Sequence, residues 1–210
     1  MDPDAGLSHM LVRILLACGI LAPLVYWGTD RLAGKLLEGY SFAAQSMSEL
    51  SAAGSPTRLF VVSLTVVASA LMVAFGVGVW RTAGQGLLPR IVSGLVIGHA
   101  AAGLAGTLFF PTRFGERPAF ASVGVLVMFL SVICFVLAMV FGAAAFRGWL
   151  RVLSIAIPVA YVFLAVLRFA TATPGAEAAS LIGTQERTMA YSFLVWVMAL
   201  AVHLLLQVGT

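Results

Sequence analysis

Residues 40–58 read YSFAAQSMSELSAAGSPTR, the one long polar interval in a chain that otherwise alternates long apolar runs with short connectors. On either side lie the apolar runs 7–27 and 59–80. Each is long enough to cross the ~30 Å hydrocarbon core of a bilayer as a helix. Farther out, four more stretches qualify, at 91–110, 120–141, 150–169 and 188–207. Nothing shows the ten-residue alternation of a barrel, so helices satisfy the backbone polar groups in lipid. The pattern predicts an all-α, six-helix polytopic membrane domain over residues 1–210, with a long structured loop between the first two spans.

Composition supports lipid as the solvent. Of 210 residues, 61% are apolar and 10% charged, against about 25% charged in an ordinary soluble domain. The formal charge of +4 arises from 12 Lys and Arg against 8 Asp and Glu, scattered in short connectors rather than in a basic tract. That distribution argues against a nucleic-acid partner. Cys18 and Cys134 fall inside apolar runs, where a thiol behaves as a small hydrophobe. Leu15-Leu16-Ala17-Cys18 has the outline of a lipoprotein cleavage box, but the apolar run continues past it, which predicts an uncleaved first helix.

Connectors 81–90 and 143–151 each carry two arginines and no acid, as short cytoplasmic loops do, which places both termini inside a cytoplasmic (inner) membrane. The raw count leans the other way. Seven basic residues (Arg31, Lys35, Arg58, Arg113, Arg117, Arg168, Arg187) fall on the opposite face, against five (Arg13, Arg81, Arg90, Arg147, Arg151) on the inner one. Pro23 and Pro158 lie inside two spans and predict kinks. Gly94-xxx-Gly98, with Ala102, Ala105, Gly103 and Gly106, lets backbones approach closely and marks span three as the central helix. No 3+3 repeat is visible.

Within the polar interval's approach, Leu32, Leu36 and Leu37 with Asp30, Arg31, Lys35 and Glu38 form an amphipathic segment suited to the membrane interface. Gly54 reads as a stop, and Ser55-Pro56 as the start of span two. Ser46 and Glu49 have capping-box spacing. The same residues, with Ser48, also lie close to one helix face, where they would serve as hydrogen-bonding or acid/base groups. His99 falls near mid-membrane in span three, where an ionisable side chain either serves a site or bonds to a neighbouring helix.

Arg58, Arg113, Glu116, Arg117, Arg168, Glu186 and Arg187 converge with Glu49 on one face. They form either an ion-pair lattice that fixes the loops or a seat for an anionic headgroup. Three histidines on separate segments make no metal motif, and neither a Walker loop nor a dinucleotide fingerprint is present, so no cofactor is expected.

Tyr40-Ser41 leading to Ser46-Met47-Ser48-Glu49-Leu50-Ser51-Ala52, then Gly54-Ser55-Pro56-Thr57, Phe110-Pro111 and Gly183-Thr184-Gln185-Glu186-Arg187 before Trp196, resemble the bacterial membrane family catalogued as domain of unknown function 998. The resemblance covers nearly the whole chain and implies a six-helix architecture with no settled activity. Members often carry an aspartate after the Phe-Pro turn and a histidine opening span four; here Thr112-Arg113 and Ala119-Phe120 stand there. Three functions follow as expectations. The leading one is a binder of a lipid or other hydrophobic molecule, entering through a polar mouth on the outer face. The others are an intramembrane hydrolase or acyl transferase using His99 with Ser48, Ser46 and Glu49, and a non-catalytic assembly subunit.

Overall fold

The computed structural model describes residues 3–114, 122–171 and 181–208. In chain order the elements are α1 (Pro3–Leu36), α2 (Met47–Leu50), α3 (Arg58–Thr82), α4 (Leu87–Phe109), α5 (Val123–Ala145), α6 (Trp149–Thr171) and α7 (Ile182–Val208). All are helices, and no strand occurs among the described residues. Five of them, α1, α3, α4, α5 and α7, are long and apolar enough to cross a membrane; in α6 the apolar stretch is Trp149–Leu164. Glu116, Arg117 and the first residues of the predicted span 120–141 lie outside the described residues.

The surface of this bundle is apolar. Leu7, Leu59, Phe129 and Phe163 are each more than two-fifths exposed, in company with many other large side chains. A surface of this kind is stable against acyl chains and not against water. The chain is built as a multi-pass membrane protein.

Neighbours follow one another around a ring: α1 packs on α3, α3 on α4, α4 on α5, α5 on α6, α6 on α7, and α7 closes on α1. The most deeply buried of the five apolar spans is α7, which packs Phe193, Trp196, Val197, Leu200 and Ala201 into one core with Phe75, Val79, Val96 and Met139. This corrects the expectation that span three is central. In α4, a Cβ at Gly98 would meet Cys134 Sγ at 3.3 Å and one at Gly103 would meet Ser131 Oγ at 3.5 Å, both on α5, whereas Gly94 faces open space. Its small residues bring it against one partner, which is what close approach requires; depth of burial is a separate property.

The tightest approaches lie elsewhere. A Cβ on Gly76 of α3 would sit 2.5 Å from Ile97 Cγ1 of α4, beside the hydrogen bond in which Ser93 Oγ donates to the Gly76 carbonyl at 2.7 Å. A Cβ on Gly78 would meet Leu15 of α1 at 3.0 Å, and Gly19 of α1 lies under the Phe75 ring. Trp196 donates to Ser154 Oγ at 2.8 Å, so its one polar atom is satisfied in the core.

Helix α1 is longer than the predicted span. The amphipathic segment from Asp30 to Leu36 continues the same helix rather than forming a separate interfacial one. This extension carries Asp30 to the level of the polar interval.

Substituting Gly76→Leu is expected to overpack the α3–α4 contact by about 1–3 kcal/mol and lower the unfolding midpoint in detergent. Gly94→Leu, which enters open space, should leave that midpoint unchanged. Fluorescence-detected thermal unfolding of both variants checks the contrast.

Candidate functional site

Two places in the bundle gather polar groups: the loop face, where residues 37–57 lie, and the opposite face, where both termini lie. The loop face is organised by Arg187 of α7 and Asp30 of α1, 5% and 4% exposed. Nη2 of Arg187 reaches Oδ1 of Asp30 at 2.9 Å and Nε reaches Oδ2 at 3.0 Å. This is the fork geometry that only arginine supplies.

The remaining guanidinium donors hold the loop. Nη2 donates to Tyr40 Oη at 2.7 Å, and Nη1 donates to the carbonyls of Phe42 at 2.7 Å, Gln45 at 3.2 Å and Gly183 at 3.3 Å. Tyr191 donates to Asp30 Oδ2. The guanidinium lies over the rings of Phe42 and Tyr40, with centroids 4.9 Å and 5.5 Å away. Arg31 covers the Phe42 ring at 5.1 Å. Burial pushes the Tyr40 phenol above its usual range. It therefore stays protonated and donates to the Ser46 carbonyl at 2.8 Å while accepting from Arg187.

Glycines make the fit possible. At Gly183 an added Cβ would collide with the Gln45 carbonyl and sit 2.5 Å from that of Phe42, and at Gly34 it would strike the Phe42 ring. Thr184 N–H donates to the Ala43 carbonyl at 3.2 Å, and Glu186 Oε2 accepts from Met47 N–H at 2.8 Å. A second strap joins Ala53 to the turn after α4: its N–H donates to Thr112 O at 2.7 Å and its carbonyl accepts from Phe114 N–H at 3.0 Å. Gly54 follows at φ 91°, a left-handed turn between this strap and α3; α2 itself ends earlier, at Leu50 with Ser51 as its C-cap.

The predicted site residues divide as follows. Ser46 and Glu49 form a capping box: Glu49 Oε1 accepts from Ser46 N–H at 3.2 Å. Glu49 Oε2 accepts from Gln45 Nε2 at 2.8 Å, and the hydroxyls of Ser46 and Ser48 lie 2.9 Å apart. Arg58 donates to the Ser51 carbonyl. Arg187 and Glu186 hold the loop, as above. Arg113 is exposed at the rim, its backbone bridged to Ala53. Glu116 and Arg117 lie outside the described residues, as does the side chain of Arg168.

His99 belongs to a different neighbourhood. Its Nδ1 lies 2.9 Å from Ser131 Oγ and 3.1 Å from the Ser131 carbonyl on α5, and Ser131 Oγ also reaches the His99 carbonyl at 3.2 Å. A carbonyl only accepts, so that contact places the proton on Nδ1. The ring meets Phe193 and Phe135 edge-on at 4.5 Å and 5.7 Å. Among the described residues, its polar partners do not include Ser46, Ser48 or Glu49.

The opposite face is open. A cleft of about 370 Å³ lies between the ends of α3, α5 and α7 and the start of α4. Its apolar floor is Val79, Phe146 and Leu204, and Thr82, Arg147, His203 and Gln207 form its rim. Gln207 Nε2 lies 3.1 Å from His203 Nε2, and the imidazole meets Phe146 and Trp149 edge-on. Arg147 is exposed, with no ion pair or hydrogen bond among the described residues. The described carboxylate side chains, Asp30, Glu38, Glu49 and Glu186, all lie toward the loop face, so the described charges at the terminal face are arginines. The sequence reading missed this cleft: Arg147 and His203 stand 56 positions apart, and only the packing of α5 against α7 joins them.

A family model described as "Protein of unknown function (DUF998)" matches residues 20–203. No curated protein and no solved structure matches the chain.

Asp30→Ala is expected to strand the buried guanidinium at a cost of about 3–5 kcal/mol, with protease cleavage within residues 37–57. Asp30→Ala combined with Arg187→Met should recover part of the loss, since no charge is then left buried. Gly183→Ala, by pushing on two loop carbonyls, should expose the same segment to limited proteolysis.

Proposed function

The chain belongs to the DUF998 family, and from that premise we propose that it is a six-span protein of a bacterial inner membrane that binds a lipid or similar amphiphile with an anionic head. For the sixth span, α6 has 23 residues, a length of about 35 Å at 1.5 Å per residue. The observation that carries the binding reading is the terminal-face cleft, which sets an unpaired guanidinium, an imidazole and an amide above an apolar floor. An anionic headgroup meets Arg147 and His203 there while its apolar part lies against Phe146, Val79 and Leu204. With both termini cytoplasmic, this face looks toward the anionic inner leaflet, and its arginine connectors follow the positive-inside pattern.

A second reading keeps the headgroup on the loop face, where Arg113 is exposed at the rim. It has less to work with, because Arg58 and Arg187 direct donors to the Ser51 carbonyl and to Asp30 and the loop carbonyls. For acyl-transfer chemistry, His99 would have to reach a loop hydroxyl; its Nδ1 is given to Ser131 instead.

Native mass spectrometry of the detergent-purified protein is expected to find an anionic lipid retained in preference to a zwitterionic one. Arg147→Ala should weaken that retention about fivefold, the value of roughly 1 kcal/mol for one basic residue at an anionic surface. Arg113→Ala should leave it intact. Loss of retention in Arg113→Ala alone would move the headgroup to the loop face, and equal retention of neutral lipid by the wild type would remove the binding reading.

A further inference from the structure

A second cleft on the terminal face, of about 490 Å³, is lined by Gly6, His9, Met10, Arg13, Ile14 and Ala17 of α1, facing Leu205 of α7. It is separate from the one at Arg147, with no lining residue in common. From these residues we infer that the α1/α7 groove is a binding site for an anionic glycerophospholipid, with its phosphate at His9 and Arg13 and one acyl chain along Met10, Ile14 and Ala17.

The groove arises from how α1 is divided. Leu16, Cys18 and Ala22 face the core, and Leu15 seats against Gly78 of α3. His9, Arg13 and Ala17 recur every four residues, so they form one stripe along the helix. Met10 and Ile14 flank that stripe at the same spacing and are 55% and 54% exposed. At Gly6 a Cβ would meet nothing within 4 Å, so the upper end of the groove is open.

Depth matches the ligand. The span Gly6–Leu36 has 31 residues, about 46 Å as a helix, against a hydrocarbon core of ~30 Å. Counted from Asp30, which stands at the level of the polar interval, ~30 Å of helix ends about 20 residues back, near Met10, so the first turns stand among the headgroups. His9 lies at phosphate level, and Arg13, one turn deeper, extends its guanidinium back toward the interface along its own aliphatic stem. Below them every lining side chain is apolar, as an acyl chain requires and a free phosphate does not.

Charge complementarity selects an anionic lipid. Arg13 has no ion pair or hydrogen bond among the described residues, and the nearest described charges on its face are arginines. A zwitterionic headgroup would bring its own cation against them. The stripe and the groove thus supply the two parts a phospholipid needs, a cationic rim and an apolar channel, on one helix.

The test incorporates the full-length protein into vesicles of phosphatidylglycerol and phosphatidylcholine in equal parts, extracts it gently and counts retained lipids by native mass spectrometry. Phosphatidylglycerol is expected to be retained over phosphatidylcholine. Arg13→Ala with His9→Ala should weaken that adduct by about fivefold or more. Ala17→Trp, which blocks the channel without touching a charge, should weaken it similarly and covers the case in which the double variant folds poorly. Excess inorganic phosphate should displace nothing; displacement would assign the rim to free phosphate and overturn the inference. Unchanged retention in both variants would also overturn it. If Arg147→Ala removes the adduct while the α1 variants keep it, the lipid sits in the cleft near α5, and this inference fails while the proposed function stands.

Discussion

The Asp30–Arg187 pair is the interaction on which the loop face depends. Taking two charges out of water is costly, and a buried pair is tolerated only when the remaining donors and lone pairs are also satisfied. Here they are: the guanidinium divides its donors among Asp30, Tyr40 and the carbonyls of Phe42, Gln45 and Gly183, and the carboxylate also accepts from Tyr191. Because three of those acceptors belong to residues 40–45, the pair specifies the loop's path as well as joining two helices. Gly34 and Gly183 are required by the same geometry, since the loop passes too close to α1 and α7 for any side chain at those positions.

That arrangement gives the two faces different characters. On the loop face, Arg58, Arg187, Glu49 and Glu186 bond to backbone groups and, for Arg187 and Glu49, to Asp30 and Gln45, and Leu50, Ala33 and Val61 form a small apolar core beneath the loop. Together they tie the loop down as a cap over this end of the bundle. At the other end of the bundle the described charges are of one sign, and the packing leaves clefts whose rims have arginine and histidine and whose floors are apolar.

Local chemistry was readable in advance where it acts over a turn or two. The apolar runs gave the helices and Ser46 and Glu49 gave the capping box; Gly54 takes a left-handed turn, but the helix it was expected to stop ends four residues before it, at Leu50. Glycine spacing on α4 was readable as close approach but not as depth of burial, because small residues determine how near one partner comes and say nothing of which helix buries the most of its surface. The aromatic and aliphatic residues of α7 are the most deeply buried instead.

By itself the sequence determined that the chain is helical, apolar and built for a bilayer, since hydropathy and length are properties of single segments. It also determined which few polar residues would have to find partners. Only the tertiary structure decided who those partners are. Asp30 and Arg187 are 157 positions apart, as His99 and Ser131 are 32 apart, and no local pattern records such a pairing. A buried charge or imidazole is matched by whatever donor or acceptor the packing brings within about 3 Å, and that proximity is a property of the folded ring of helices.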